Sequence, residues 1–489
     1  MRELSPLRNT LIALDVPLDP EEEALKKTKI LCTIGPASFS EHTLKMMYEA
    51  GMRGARINTA FGDIPQYKEV IAKVRRIGDI PILLDLKGPE LRVRTSKALS
   101  LKEGGSLTVG NGGDVSFNHP VYGQLRVGDR VLFDDAKIET EVLRLGKNSL
   151  ALHVKAGGLL EDGKGVNCPG RRFDVSTLAE RDLELTGFAR AQEVEFIGLS
   201  FTRDADDIRN LRKEVGDGEI SVVAKIENGQ GVENFDQILS ESDGIMVARG
   251  DLGIEVEQER VPLLQKRMIT SCNQVGKPVI TATEMLESMR ENPRPTRAEV
   301  SDVANAILDG TDVVMLSGET AVGKYPVEAV AMMARIAQET EEAVVCKVEE
   351  EKYQNVSSAI SWSVNEIARS MPLDKVVTIT RTGYTARAIA RFKLKQPVIA
   401  VTRDPSVKRR LELVYGVYPV LHAYSDEEDR ILSAAHALFS EKMVEEDDIV
   451  LFTAAFRTSQ SHASNLIEIH TIKELMEFIS RHDPYSKST

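Results

Sequence analysis

Cysteine is scarce in this chain, with four residues at positions 32, 168, 272 and 346 and no Cys-x-x-Cys pair. Such wide spacing argues against a zinc knuckle and against a dense disulfide framework. It fits a protein of a reducing compartment, and we expect a cytoplasmic location.

An excess of positive charge and long apolar runs are also missing. Lys and Arg number 62 against 75 Asp and Glu, a net charge of −13, which argues against broad nucleic-acid binding but leaves room for a local basic pocket. No apolar run reaches the ~18 residues of a membrane span. Residues 1–25 carry prolines and acidic residues where a signal peptide needs an apolar core, so we interpret residues 1–27 as a polar lead-in. We therefore expect neither a nucleic-acid nor a membrane partner.

What the chain does have is the length of several domains and a regular alternation of strand and helix patterns. Its 489 residues predict two to four domains. Continuous apolar runs, typical of strands buried on both faces, occur at residues 29–34, 54–57, 81–84, 194–199, 221–224, 244–248, 278–281 and 312–316. Helical patterns lie between or after them, at residues 40–47, 67–77, 177–192, 205–215, 232–239, 260–275, 298–308 and 327–342. Eight such units favour a closed (β/α)8 TIM barrel over the alternative, an open doubly wound sheet.

Two further regions differ in texture from the barrel units. Residues 93–167 are rich in glycine and in short strand-like pieces, which predicts a small β-barrel inserted after the third strand, where it can act as a lid. After residue 345 a new series of strands and helices predicts a C-terminal three-layer α/β domain. The predicted limits are 28–92 with 168–345 for the barrel, 93–167 for the lid and 346–489 for the last domain.

Polar side chains follow seven of the eight predicted barrel strands. Because function in such barrels lies at the carboxyl ends of the strands, we expect these side chains to converge. They are Arg56, Asn58, Asp85, Lys87, Glu90, Ser200, Lys225, Glu227, Arg249, Asp251, Thr283, Ser317 and Glu319.

Lys225 and Glu227 are two residues apart, so in a strand both face the same side. A lysine among apolar residues is costly unless it is paired. The pair is therefore either a structural ion pair, or a cation for an anionic substrate beside a carboxylate for a metal.

The segment 249–253, Arg-Gly-Asp-Leu-Gly, places two glycines around Asp251 where a strand ends. Glycine lets backbone N–H groups approach an anion closely, although an ordinary Asp-Gly turn is the alternative. Asp251 and Glu227 are hard oxygen donors suited to Mg²⁺ or Mn²⁺. Zinc is disfavoured because the chain has no His-Glu-x-x-His motif and no Cys/His cluster.

Together these groups describe a site for a polyanion. Arg56 and Lys225 supply positive charge, two acids supply metal ligands, and Thr283 can bind a carboxylate or relay a proton, unless nearby backbone satisfies its hydroxyl. Phosphoryl transfer needs such groups, since its catalysis is mostly positioning and charge neutralisation. No Walker motif is present, so a nucleotide would not be held in the P-loop manner.

A second candidate anion site lies in the last domain, in the loop after the strand at residues 375–380. Hydroxyls, an arginine and a glycine precede a helical pattern there, which fits phosphate binding at a helix N-terminus or an ordinary capped loop. The loop residues are Thr380, Arg381, Thr382, Gly383 and Thr385.

At these positions the sequence strongly resembles the pyruvate kinase family. The matching stretches are 28–38 (TKILCTIGPAS), 55–58 (ARIN), 85–90 (DLKGPE), 164–170 (KGVNCPG), 224–228 (AKIEN), 246–253 (MVARGDLG), 276–280 (GKPVI), 286–289 (LESM), 293–299 (PRPTRAE), 301–306 (SDVANA) and 315–320 (MLSGET). The similarity covers residues 28 to about 330 well and the last domain more loosely.

The resemblance implies a reaction and residue roles. The reaction is phosphoenolpyruvate plus ADP giving pyruvate plus ATP, with Lys225 neutralising the phosphoryl group in flight and Arg56 gripping the phosphate. Further implied groups are Glu227 and Asp251 for Mg²⁺, Gly250, Asp251 and Thr283 for the substrate carboxylate, and Asn58, Asp85 and Leu86 for a monovalent cation such as K⁺. A homotetramer regulated by a phosphorylated effector at the 380–385 loop is the family expectation.

The sequence departs from the family pattern around the cation and nucleotide positions. Ala60 and Phe61 stand where the family has Ser and His, which removes one oxygen ligand and a histidine near the nucleotide. Leu86 stands where threonine is common, although that ligand is a backbone carbonyl, and Glu90 is the residue typical of potassium-dependent members. Glu284 replaces a common glutamine, and residues 454–465 lack the glycine-rich stretch of members activated by fructose bisphosphate.

Two alternatives to a pyruvate kinase remain on the sequence alone. A magnesium-enolate lyase acting on a 2-oxo acid would share the metal carboxylates but would need neither Lys225 nor the lid. A catalytically inactive metabolite sensor is disfavoured because Arg56, Lys225, Glu227, Asp251 and Thr283 are all present.

Overall fold

The described part of the chain begins with three strands separated by two helices. A computed structural model of the chain describes residues 26–216, 218, 220–348, 355–424, 429–455 and 464–482, so most of the predicted lead-in lies outside the described residues. The strands are β1 (Lys29–Thr33), β2 (Met52–Asn58) and β3 (Ile82–Asp85), and the helices are α1 (Glu41–Glu49) and α2 (Ile64–Ile77). Ser40 is the N-cap of α1, since its side chain accepts a hydrogen bond from the Thr43 N–H.

A separate β-structure follows β3. Seven of its strands curve into a nearly closed barrel in the order β12-β8-β9-β10-β6-β7-β4, and β5 pairs with β11. Their bounds are β4 (Val93–Thr95), β5 (Leu99–Leu101), β6 (Ser106–Gly110), β7 (Val115–Phe117), β8 (Arg130–Phe133), β9 (Ile138–Gly146), β10 (Ser149–Ala156), β11 (Gly158–Leu160) and β12 (Val166–Asn167), with a 3-10 turn at Tyr122–Gln124. This structure has its own apolar core, which includes Val93, Phe117 and Phe133. The predicted β-barrel lid is thus confirmed as a fold.

The chain then completes the large barrel. The strands are β13 (Phe196–Leu199), β14 (Ser221–Ile226), β15 (Gly244–Ala248), β16 (Val279–Ala282) and β17 (Val313–Leu316). The helices are α3 (Glu180–Ala191), α4 (Ala205–Val215), α5 (Gly229–Glu233), α6 (Phe235–Glu241), α7 (Arg249–Glu255), α8 (Val261–Val275), α9 (Arg297–Asp309), α10 (Gly318–Ala321) and α11 (Pro326–Glu341), with 3-10 turns at Gln258–Arg260 and Glu287–Arg290. The helix predicted over 232–239 is wrong as one element, because Asn234 divides it into α5 and α6.

All eight large-barrel strands are parallel and close in the order β1-β17-β16-β15-β14-β13-β3-β2. The predicted (β/α)8 barrel is therefore confirmed over the open sheet. Its interior is filled by side chains such as Leu31, Val223 and Met315, and Leu413 from the C-terminal part of the chain belongs to the same cluster. A Cβ on Gly54 would lie 2.9 Å from a Leu413 methyl carbon, which explains why β2 has a glycine there.

The C-terminal part is a five-stranded sheet with helices on its faces. Strands β18 (Lys375–Ile379), β19 (Val398–Thr402), β20 (Val417–Leu421), β21 (Ile449–Ala454) and β22 (Leu466–Thr471) lie in the order β20-β19-β18-β21-β22, and only β22 is antiparallel to its neighbour. The helices are α12 (Val356–Ser370), α13 (Tyr384–Ala390), α14 (Pro405–Leu411), α15 (Arg430–Ser440) and α16 (Ile472–His482). This confirms the predicted α/β fold, whereas the predicted domain limits stay predictions. None of the described helices combines the length and apolar character needed to cross a membrane.

Candidate active site

Six neighbouring strands of the large barrel bring the predicted residues to one end. In the order β2, β3, β13, β14, β15 and β16 they carry or lead into Arg56, Asp85, Ser200, Lys225 with Glu227, Asp251 and Thr283. The register pairs Asn58 with Asp85 and Asp85 with Gly198, so the ends of β2, β3 and β13 are level.

Lys225 lies at the centre of this end of the barrel. Its Nζ is 2.8 Å from Glu227 Oε1 and 3.2 Å from Asp85 Oδ1, and it donates a hydrogen bond of 2.7 Å to Ser200 Oγ. Burial alone would lower the pKa of Lys225, but the charges of Asp85 and Glu227 outweigh it and raise that pKa above the ordinary lysine value. The ammonium group is therefore held charged in a buried place.

Asp85 connects this lysine to Arg56. Arg56 Nε lies 2.7 Å from Asp85 Oδ2, and Nη1 of the same guanidinium donates to Thr33 Oγ1 at 2.9 Å. Burial works to raise the pKa of Asp85, but Lys225 and Arg56 together hold it below the ordinary value. One ionised carboxylate thus fixes two cations side by side.

Glu227 and Asp251 form the acidic side of the site. Glu227 Oε2 accepts a hydrogen bond of 2.7 Å from the Phe201 N–H, whereas the Asp251 carboxylate has no hydrogen bond or ion pair with any residue that the structure describes. Burial first, and then the negative charge of Glu227, raises the pKa of Asp251 to about 7. Such repulsion between two buried carboxylates is what a divalent cation would relieve.

The described residues contain no group of three or more His, Cys, Asp or Glu side chains placed to hold a metal. Two carboxylates with the remaining ligands from substrate and water is a common arrangement for Mg²⁺. Arg56 and Lys225 are balanced by Asp85 and Glu227, so with ionised Asp251 the cluster would be net negative. A bound divalent cation would make it positive, as a site for a phosphorylated anion requires.

Thr283 follows β16, next to the strand that leads to Asp251, and has an unusual backbone conformation. Its φ is +67° and that of Glu284 is +55°, a left-handed region that costs non-glycine residues energy and is often retained at functional sites. Thr283 Oγ1 accepts a 2.7 Å hydrogen bond from the Gly250 N–H and donates one of 2.6 Å to the Ala282 carbonyl. No sequence pattern indicated this backbone conformation.

Several residues of the predicted set bond to the loops around the Lys225 cluster and not to the cluster itself. Arg249 turns to Asp302 at 2.7 Å and to the Thr283 carbonyl, so it braces the Thr283 turn. Glu319 accepts the backbone N–H groups of Leu286 and Ser317. Glu90 pairs with Arg92 in the segment that leads into the lid.

The predicted monovalent-cation residues are only partly brought together. Both carboxylate oxygens of Asp85 are already in ion pairs, and the Leu86 carbonyl accepts a 2.6 Å hydrogen bond from Ser200 Oγ. Asn58 Oδ1 accepts from the Ala60 N–H at 3.1 Å. The role of these residues therefore stays a prediction.

The 380–385 loop lies at the switch point of the C-terminal sheet. It follows β18, which has β19 on one side and β21 on the other, and ligands of open α/β sheets bind where the strand order reverses. Gly383 has φ +78° and donates its N–H to Thr380 Oγ1, while Thr385 Oγ1 is 2.8 Å from Ser464 Oγ. Arg381 and Thr382 are exposed.

Comparisons with known proteins agree with this architecture. A family model described as "Pyruvate kinase, barrel domain" matches residues 25–330, and one described as "Pyruvate kinase, alpha/beta domain" matches residues 358–470. The pyruvate kinase of Geobacillus stearothermophilus is 42% identical over 476 residues, which cover 92% of this chain and 81% of the relative. The pyruvate kinase of Clostridium acetobutylicum is 37% identical over 473 residues, covering 92% of this chain and 100% of the relative. The chain belongs to the pyruvate kinase family.

Proposed function

We propose that the protein transfers the phosphoryl group of phosphoenolpyruvate to ADP, giving pyruvate and ATP, and that the residues around Lys225 carry out the transfer. The observation that carries this proposal is the position of Lys225, a buried cation held between Asp85 and Glu227 beside Arg56. In the reaction the bond between the phosphorus and the enol oxygen breaks, and a bond from the phosphorus to a terminal oxygen of ADP forms.

Lys225 and Arg56 act on the phosphoryl group. The transition state of phosphoryl transfer spreads negative charge over three oxygens, and cations that are already oriented stabilise it most. Asp85 keeps both cations fixed through its two oxygens, so they need little reorganisation when the charge develops.

Glu227 and Asp251 would hold Mg²⁺ or Mn²⁺. Their fit rests on their hard oxygen donors, on the absence of a hydrogen bond or ion pair at Asp251 among the described residues, and on the raised pKa of Asp251. The bound ion would supply Lewis-acid polarisation of substrate oxygens. The Phe201 N–H keeps Glu227 oriented by its hydrogen bond.

Gly250, Asp251 and Thr283 would receive the carboxylate end of the substrate. After transfer, the enolate needs a proton at carbon, and we assign the relay of that proton to the Thr283 hydroxyl with a water molecule. For this step the hydroxyl must exchange its hydrogen bond to the Ala282 carbonyl for one to the water. The strained turn at Thr283, braced by Arg249, supports a functional role because such strain persists only where surrounding contacts maintain it.

We assign a monovalent-cation site for K⁺ to Asn58, Asp85 and the Leu86 carbonyl. The family resemblance supports this assignment, and Glu90 agrees with it. Ala60 lacks the hydroxyl oxygen that the family pattern supplies, so we expect a weaker requirement for the ion.

The 380–385 loop is proposed to bind the phosphate of an activating sugar phosphate or nucleotide. Its place at the switch point, the close backbone approach that Gly383 allows, and the exposed Arg381 and Thr382 support this. A homotetrameric assembly and a cytoplasmic location are proposed from the family resemblance.

One coupled assay tests the proposal. Pyruvate formed from phosphoenolpyruvate should depend on both ADP and Mg²⁺, with one ATP appearing per pyruvate. Pyruvate release at the same rate without ADP would refute phosphoryl transfer to the nucleotide and would favour a hydrolase or lyase.

A further inference from the structure

The loop between β13 and α4, residues 200–203, touches both the catalytic cluster and the two segments that connect the lid to the barrel. We call it the 200–203 loop. Residues 86–92 lead from β3 into the lid, and residues 168–179 return from the lid to α3. Each of the two connecting segments has direct contacts with this loop.

The first two residues of the loop contact both the catalytic groups and residues 86–92, which we call the outgoing segment. Ser200 Oγ accepts from Lys225 Nζ at 2.7 Å and donates to the Leu86 carbonyl at 2.6 Å. The Phe201 N–H holds Glu227 at 2.7 Å. A Cβ on Gly88 would lie 3.2 Å from Ser200 atoms, so the outgoing segment passes close against the loop.

The last residue of the loop, Arg203, holds the returning segment. Its guanidinium donates to the carbonyl oxygens of Phe173 and Val175 at 3.1 and 3.0 Å and to Thr177 Oγ1 at 2.6 Å. Asp207 on α4 accepts from both the backbone N–H and the side chain of Arg203. The residue is thus fixed on one side to a barrel helix and on the other to the lid connection.

Phe201 has φ +54°, a left-handed conformation that a bulky residue keeps only where its neighbours enforce it. In that conformation its N–H reaches Glu227. A change of Phe201 to a negative φ would move this N–H away from the carboxylate. Glu227 is therefore held by one residue of a loop whose last residue, Arg203, is bonded to the returning segment.

We propose that the 200–203 loop couples the position of the lid to the orientation of Lys225 and Glu227, and that Arg203 is the positioning residue of this coupling. The inference rests on the proposed function for the identity of the reaction, but its contacts are properties of the fold. Closing the lid pulls on the returning segment, and Arg203 transmits that movement to the backbone that holds the two catalytic side chains.

The test compares Arg203→Met with Arg212→Met in the full chain. Arg212 lies on α4 and pairs with Asp243 at 2.8 Å, with a side chain 23% exposed against 22% for Arg203. Among the described residues its hydrogen bonds go to Asp243 and to the Glu241 carbonyl, and none goes to the two segments that connect the lid. Arg203→Lys is the second variant, because lysine keeps the charge but has a single nitrogen, whereas the planar guanidinium reaches the two carbonyls, Thr177 and Asp207 from three separate nitrogens. If Arg203→Met does not fold, Arg203→Lys decides.

Two measurements do not depend on catalysis. Trypsin cleavage after Arg171 and Arg172 reports the freedom of the returning segment, and Mn²⁺ binding followed by electron paramagnetic resonance reports the metal carboxylates. We expect Arg203→Met to be cleaved several-fold faster than Arg212→Met and to bind Mn²⁺ about 10-fold more weakly, as for other residues that orient metal ligands. We also expect kcat to fall about 10-fold to 100-fold.

The coupling is wrong if either the cleavage rate or the Mn²⁺ affinity of the Arg203 variant equals that of Arg212→Met. A wild-type chain that shows no ADP-dependent pyruvate formation would refute the proposed function instead, and the two physical measurements would still decide the role of Arg203.

Discussion

Lys225→Met removes the central cation of the site while keeping a side chain of similar length. Removing a group that stabilises developing charge typically lowers the rate by about 10²-fold to 10³-fold or more. The fold should survive, because Asp85 keeps its ion pair with Arg56 and Glu227 keeps its hydrogen bond from Phe201. The loss of stability should therefore fall at or below the ~3–5 kcal/mol typical of breaking a buried ion pair. Metal binding should be nearly intact, since both carboxylates remain.

Lys393→Met is the matched control for this change. Lys393 is a second buried lysine, 2.9 Å from Asp312 and 2% exposed, against 8% for Lys225, but it lies at the junction with the C-terminal sheet. Both variants should lose stability in chemical denaturation, and only Lys225→Met should lose turnover in the coupled pyruvate assay. The assigned role of Lys225 is wrong if that variant keeps more than about a tenth of wild-type turnover, because the lost transition-state stabilisation would then be too small for a cation that neutralises the phosphoryl group.

Four more outcomes are expected. Asp251→Asn and Glu227→Gln should each raise the half-saturating Mg²⁺ concentration far more than the half-saturating ADP concentration, because a full charge is lost at a hard cation. A half-saturating Mg²⁺ concentration that is unchanged in both variants would show that these residues do not hold the metal. K⁺ should stimulate the rate, but less sharply than in relatives with a full ligand set, and full activity in tetramethylammonium at equal ionic strength would show that no such ion is needed. The double variant Thr382→Ala with Thr385→Ala should abolish activation by a sugar phosphate or nucleotide without changing turnover at saturating substrate. The wild-type test measures the half-saturating phosphoenolpyruvate concentration with AMP, ribose 5-phosphate, glucose 6-phosphate and fructose 1,6-bisphosphate. If none of them shifts it, the loop is only a capped turn. Burial lowers the pKa of Lys29 from 10.5 to about 8, so between pH 8 and 10.5 the unfolded chain binds one proton more than the folded chain. Across that range the free energy of unfolding of the wild type, relative to that of Lys29→Met, should rise by up to about 1.4 kcal/mol per pH unit. Denaturant titrations that show the same difference between the two proteins at every pH would contradict this.

The barrel strands could be predicted because strands buried on both faces are continuous apolar runs, and eight of them define the fold class. Four short strands of the inserted β-structure were not predicted, because β4, β5, β11 and β12 have two or three residues each, too few to show an alternating pattern. The division of one predicted helix at Asn234 also depends on tertiary contact, since the Asn234 side chain donates to the Arg203 carbonyl across the loop.

The site residues could be selected from the sequence because strand ends in a barrel converge, but their partners could not. Nothing in the chain order indicates that Asp85 lies between Arg56 and Lys225, or that Arg249 turns toward Asp302. The contact of Glu227 with the Phe201 N–H comes from the backbone, so no side-chain pattern encodes it. The catalytic and binding roles assigned to these residues remain proposals.

Leu413, from the C-terminal part of the chain, packs among the side chains that fill the interior of the large barrel, so the unfolding of the two parts is linked. The barrel interior and the C-terminal sheet share this side chain, and the Lys29 ammonium also donates to the Val417 carbonyl across the same junction. Separating the two parts would open a cavity next to Gly54 and leave a buried cation without its acceptor. Heating should therefore melt them in one cooperative transition, and a chimera with a foreign C-terminal domain would need an apolar side chain of leucine size at this place to keep the barrel packed.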